Sequence, residues 1–286
     1  MTTSDGRSIR VANGDVWLHV VVDGDDGNPP LVALHGITSS VRTWEWLVPH
    51  LVDRFQVFRL DFRGHGTSDR TPDAYDMEGY VGDAAAVCRI AGEPCAVLGH
   101  SLGGATAAGL AQRHPELVTR VVLEDPPIGV PRSLEGNSLM SGFRLMRESI
   151  PRLQEAGIAP DVLAGILADA PSATGPTFGE LLHPDALAAM AGSMLELDAT
   201  VLDRVVSGDG PLTPVFDRDR PIAAPVLLLA ADPSAPDCVA RAEDTAHLAA
   251  VTPHAEVVTV TGAGHLIHDE LAHRDEFLRA VLMFLG

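Results

Sequence analysis

Short, mostly apolar runs recur along this chain at Leu31–Leu34, Val57–Leu60, Cys95–Leu98, Val121–Leu123, Val226–Leu229 and Val257–Val260. The first, Leu31–Leu34, is continuous rather than alternating with polar residues, the pattern of a strand buried on both faces of a parallel sheet. Between them lie segments with helical spacing, near 43–52, 77–91, 102–113 and 239–250, and a last amphipathic stretch over about 270–285. Strand, helix, strand order predicts an α/β fold with a doubly wound, mostly parallel sheet and right-handed crossovers. Ahead of it, Ser8–Val11 and Val16–Val22 flank the turn signal Asn13-Gly14, which predicts an antiparallel hairpin. The alternation stops between about Pro126 and Pro221, so residues 1–126 and 221–286 are expected to form the core and 127–220 an inserted helical cap. Within that insert Leu139, Met140, Phe143, Met146, Ile150 and Leu153 recur at helical spacing. Such a stripe suits either ordinary core or a substrate-facing surface.

Composition narrows the classes of function. The chain has 286 residues, 46% of them hydrophobic and 21% charged, with a net charge of -19. Nucleic-acid binding draws on clustered cations, and no basic stripe appears, so no nucleic-acid partner is expected. No run approaches the roughly 18 apolar residues of a membrane span, and the first residues lack the basic-then-apolar order of a secretory signal. No membrane association and a cytoplasmic location are expected. All 20 basic residues are Arg, which rules out a Schiff-base lysine and a P-loop. Cys88, Cys95 and Cys238 show no zinc-site spacing and are expected as reduced, buried thiols. No metal or cofactor is expected.

The segment Gly99-His100-Ser101-Leu102-Gly103 sits between an apolar strand and a small-residue helix. A serine at the tip of so sharp a turn is a candidate nucleophile, with glycines where side chains would collide. A hydroxyl needs a base, and the base needs a third group to fix its tautomer and stabilise its cation. Both belong at the carboxyl edge of the sheet. Of the 12 His, His265 follows the last strand in the small-residue loop Gly262-Ala263-Gly264-His265, where a general base is expected. His268 is the fallback, while His100 is expected to pack locally and His65 to belong to a structural turn. After the third strand, His35-Gly36-Ile37 lets the backbone approach a reacting carbonyl. The amides of Ile37 and Leu102 are therefore candidate oxyanion donors, one such donor contributing about 3 kcal/mol to transition-state stabilisation.

With these landmarks, together with Trp44, Asp61–Asp69, Gly104 and Arg113-His114-Pro115, nearly the whole chain resembles the α/β-hydrolase superfamily. The resemblance implies a cofactor-free hydrolase with a catalytic triad. Its commonest members carry the acid after the seventh strand, where this chain reads Ala230 to Val239. There Asp237 has the usual interval back from His265, and Asp232 lies nearer the strand end. Haloalkane dehalogenases and zearalenone-type lactonases instead carry the acid after the sixth strand, at an offset from the nucleophile that resembles Asp125 here. Strand alternation puts Glu124 on the opposite face. The expected acid is Asp125, with Asp237 as the alternative. The expected activity is hydrolysis of a small, largely apolar ester or lactone by a serine esterase or lactonase, through an acyl-enzyme. Carbon-carbon bond hydrolysis or perhydrolysis on the same triad, or a hydrolase-fold receptor with little turnover, are the alternatives.

Overall fold

The computed structural model describes residues 6–92, 94–129, 134, 136–173, 175–207 and 215–286. Eight strands form one sheet: β1 (Arg7–Asn13), β2 (Val16–Asp23), β3 (Pro30–Leu34), β4 (Gln56–Leu60), β5 (Cys95–His100), β6 (Val118–Glu124), β7 (Val226–Ala230) and β8 (Ala255–Thr259), in spatial order β1-β2-β4-β3-β5-β6-β7-β8. The expected hairpin is present, with β1 antiparallel to β2 and β2 antiparallel to β4. All later pairings are parallel. Every residue of β3, β4, β5 and β7 is buried, whereas β8, at the sheet edge, is only partly covered.

Successive residues of the central strands feed two separate cores, as the period of two requires. Val32, Leu34, Val97, Val121, Leu123, Val226 and Leu228 pack on one face with α1 (Met77–Ile90) and α2 (Leu102–Arg113). Leu31, Ala33, Ala96, Leu98, Val122, Leu227 and Leu229 pack on the other with Trp44, Leu47 and Leu51.

Between β6 and β7 lie α3 (Leu139–Glu155), α4 (Pro160–Asp169), α5 (Phe178–Leu181), α6 (Pro184–Glu196) and α7 (Asp203–Ser207). On α3, Phe143 and Ile150 are buried, and Leu139, Met140, Met146 and Leu153 pack partly buried against the same core. The chain then adds α8 (Ala242–Val251) and α9 (Arg274–Leu285), the latter packing Phe277, Val281 and Leu285 beneath Trp44.

Two helical expectations need correction. The segment expected as one helix over 43–52 forms two short 3-10 turns, Val41–Trp44 and Val48–His50, because Pro49 has no N–H to donate. The last helix starts at Arg274 rather than near Glu270. The preceding backbone is drawn toward the α5–α6 connection: the Leu271 N–H donates to Leu181 O (2.8 Å) and the His183 N–H to Asp269 O (3.0 Å). Among the described residues, no helix is long and apolar enough to cross a membrane.

Candidate active site

Ser101 occupies the single residue between β5 and α2, with φ 53° and ψ -114°. A Cβ at Gly99 would collide with the Gly103 carbonyl, and one at Gly103 with the Leu34 carbonyl. Glycine at both positions is what lets the turn be this tight. The Ser101 N–H donates to Glu124 O at 2.9 Å, registering the turn against β6.

His265, in the loop after β8, brings Nε2 to 2.9 Å from Ser101 Oγ and Nδ1 to 2.7 Å from Asp125 Oδ2. A ring nitrogen facing a carboxylate carries the proton, so Nδ1–H donates to Asp125 and Nε2 is free to accept from the serine hydroxyl. All three side chains are buried. Ser101 and Asp125 (φ 38°) are the two non-glycine residues with left-handed backbone among the described residues. Such conformations cost about 1–3 kcal/mol each and persist where surrounding contacts over-determine them.

At Asp125 those contacts are visible. Its carboxylate accepts from the N–H groups of Ala231 (3.2 Å), Val239 (2.9 Å) and Ala240 (3.0 Å). The half-buried Cys238 thiol lies 4.0 Å away; burial and then the Asp125 charge push that thiol up to about 12. The loop leaving β7 thus meets the β6 acid with backbone amides. Its own carboxylates point elsewhere. Asp237 accepts from the His265 backbone N–H at 3.3 Å, and Asp232 closes a surface turn with Ser234 and Gly262, which lowers it to about 2.

Ser101 opens into a recess lined by Ile37, Leu102, Pro127, Leu134, Leu139, Phe143, Val205 and Val239. Leu102 is the first residue of α2, so its N–H has no acceptor within the helix. The Ile37 N–H makes no backbone hydrogen bond among the described residues. Behind them His65 places Nε2 2.8 Å from Ile37 O and Nδ1 2.9 Å from Arg63 O. His35 receives the Phe62 N–H on Nε2 and donates Nδ1–H to Gly36 O; burial lowers its pKa to about 3, keeping it neutral.

The remaining candidates, Glu124 and His268, pair with each other. Glu124 turns away from Asp125 and accepts from the His268 N–H (2.9 Å) and from its Nδ1–H (2.8 and 2.9 Å). His100 donates Nε2–H to His265 O at 3.0 Å. His100, Glu124 and His268 are residue types that bind metals, with ligand atoms within 4.8 Å of one another. Their hydrogen bonds already occupy the carboxylate and both ring nitrogens of His268, whose Nε2 lies 2.9 Å from Thr43 Oγ1. The amide cradle of Asp125 and the Glu124–His268 pair escape sequence reading: backbone donors have no residue signature, and the pair spans 144 positions.

The family pattern described as the alpha/beta hydrolase fold matches residues 29–271. An sn-1-specific diacylglycerol lipase of Mus musculus is 27% identical over 304 residues, covering 100% of this chain and 92% of its own length. A 2-(acetamidomethylene)succinate hydrolase of Mesorhizobium japonicum is 30% identical over 268 residues, covering 92% of this chain and 90% of its own. The crystal structure of an E-2-(acetamidomethylene)succinate hydrolase superposes with a TM-score of 0.74 at 25% identity, covering 98% of this chain and 99% of that one. The chain belongs to the α/β-hydrolase family of enzymes.

Proposed function

We propose that this protein is a serine hydrolase that cleaves a neutral, apolar carboxylic ester or lactone through an acyl-enzyme. The reading is carried by the continuous relay from Asp125 through His265 to Ser101, at 2.7 and 2.9 Å, opening into an apolar recess. Ser101 Oγ adds to the substrate carbonyl while His265 Nε2 takes its proton. Asp125 holds the Nδ1–H and stabilises the imidazolium, and the Ile37 and Leu102 amides receive the oxyanion. Collapse expels the alkoxide, which takes the proton from His265. Water, deprotonated by His265, then attacks the acyl-Ser101 ester and releases the acid. Residues 127–220 act as a cap, supplying Pro127, Leu134, Leu139, Phe143 and Val205 to the recess.

The two curated relatives above suggest different substrates. A dicarboxylate such as the succinate named for one of them would meet no cationic side chain among the described lining residues, whereas the ester of a diacylglycerol is uncharged. Turnover of a panel of nitrophenyl esters and lactones, with fluorophosphonate labelling, tests the proposal. Wild type should label at Ser101 and turn over, and Ser101→Ala should do neither. Labelling with negligible turnover across the panel would favour a receptor. Turnover confined to carbon-carbon substrates or to peracid formation would keep the triad and replace the substrate.

A further inference from the structure

We infer that Glu124 and His268 form a second carboxylate–imidazole pair that touches no substrate but positions His265 and Ser101 for the reaction proposed above, on which the inference rests. Glu124 is the last residue of β6 and ties three parts of the site together. Its carbonyl holds the Ser101 N–H, its carboxylate holds both the backbone and the ring of His268, and its neighbour is Asp125. His268 lies three residues beyond His265, so the segment bearing the base is gripped at both ends. At one end His100 donates to the His265 carbonyl. At the other the His268 ring packs tilted against Trp44, with centroids 4.7 Å apart and planes at 32°. The His100 ring fills the gap, 4.7 Å from His265 and 5.0 Å from His268.

Stability alone does not account for such a pair, because well-packed apolar residues of the same volume are often at least as stable as a buried ion pair. What the pair supplies instead is register between strand and loop. It also places a balanced charge near the base. The groups facing His268 are Glu124, the neutral His100, Asp269 at 3.3 Å from Nε2 and, through its carbonyl, Arg274; Arg274 in turn pairs with Asp185 of α6 at 2.8 Å. Burial works against a charge on His268, yet Asp269 and Glu124 outweigh it and the ring is held above the usual imidazole range. Burial and the neighbouring His265 and His268 hold His100 far below that range.

Removing either partner therefore unbalances the charge around His265 in opposite senses. Glu124→Gln takes away a negative charge, disfavours the His265 imidazolium and moves the acid limb of kcat/KM to lower pH. His268→Asn takes away a positive charge and moves the limb to higher pH. With active sites titrated by a fluorophosphonate and turnover of a short-chain nitrophenyl ester, each variant should lose about tenfold or more in kcat with KM changed by less than about twofold. Rates within about twofold of wild type with an unmoved acid limb would overturn the inference. So would a fall in rate that merely tracks the loss of titratable Ser101. If Glu124→Gln does not fold, His268→Asn decides by the same readouts. Failure of wild type to label at Ser101 would overturn the hydrolytic reading and this inference with it, whereas unaltered variants of a labelled enzyme overturn the inference alone.

Discussion

At Asp125 the chain leaves β6 with φ 38°, and that torsion lets its carboxylate turn toward His265 while Glu124 turns away. The loop after β7 complements this by spending three amides on Asp125. Those donors hold the carboxylate facing His265 Nδ1, where it can stabilise an imidazolium. Asp125→Asn should lower kcat by about 10⁴-fold, because an amide favours the wrong His265 tautomer. Asp237→Asn, at a carboxylate that accepts from the His265 backbone N–H rather than from its ring, should cost less than about tenfold; steady-state kinetics on folded variants separates the two. Equal losses would mean that the Asp237 contact matters as much as the ring contact. Ser101 and His265 are legible in the sequence because small residues must surround them for steric reasons. Asp125 is legible only through its offset from Ser101, since a carboxylate imposes no comparable constraint on its neighbours. Nothing in the residue order tells that Glu124 and His268 select each other.

Individual elements show why some were readable and others not. The turn from β5 into α2 is fixed by contacts of its own glycines, so it appears in the sequence as it does in space. Gly103→Ala would drive a methyl into the Leu34 carbonyl, and backbone there cannot yield as a side chain would. We expect a loss of about 1–3 kcal/mol or more in denaturant unfolding, with Ser101 labelling reduced in whatever folds. The 3-10 turns near Trp44 and the late start of α9 were hidden for a different reason: local helical spacing is present, but Pro49 and the contacts of Leu271 and Asp269 with the α5–α6 connection override it. That loop also carries a testable linkage. His268 is held above its reference value of 6.5, so the folded state binds its proton more tightly than the unfolded chain does. Its stabilising contribution is complete below pH 6.5 and is lost as pH rises through the folded value. The melting temperature should therefore decline into the alkaline range, and His268→Asn should flatten that decline.

In the whole molecule, the carboxyl edge of the sheet carries Ser101, Asp125 and His265, and the segment between β6 and β7 supplies most of the described residues that line the recess. The central strands β3, β5 and β7 were legible because burial on both faces leaves largely unbroken apolar runs. The α3 stripe divides between two surroundings, Ile150 packing in the core while Leu139 and Phe143 also line the recess beside Ser101. Phe143 is therefore the residue at which substrate choice and packing meet. It is buried at 7% exposure yet has open space on one side, so Phe143→Ala should destabilise by less than the roughly 3–5 kcal/mol of a fully enclosed phenylalanine. The space it vacates is apolar and adjoins Ser101. Each added methylene that fits such a site contributes about 1–3 kcal/mol of discrimination. Hence the ratio of kcat/KM for an octanoyl over a butanoyl nitrophenyl ester should rise about tenfold or more in Phe143→Ala, while the rate of fluorophosphonate labelling stays near that of wild type. If the ratio does not move, the acyl chain does not occupy this recess, and residues 127–220 cover the site without selecting what enters it.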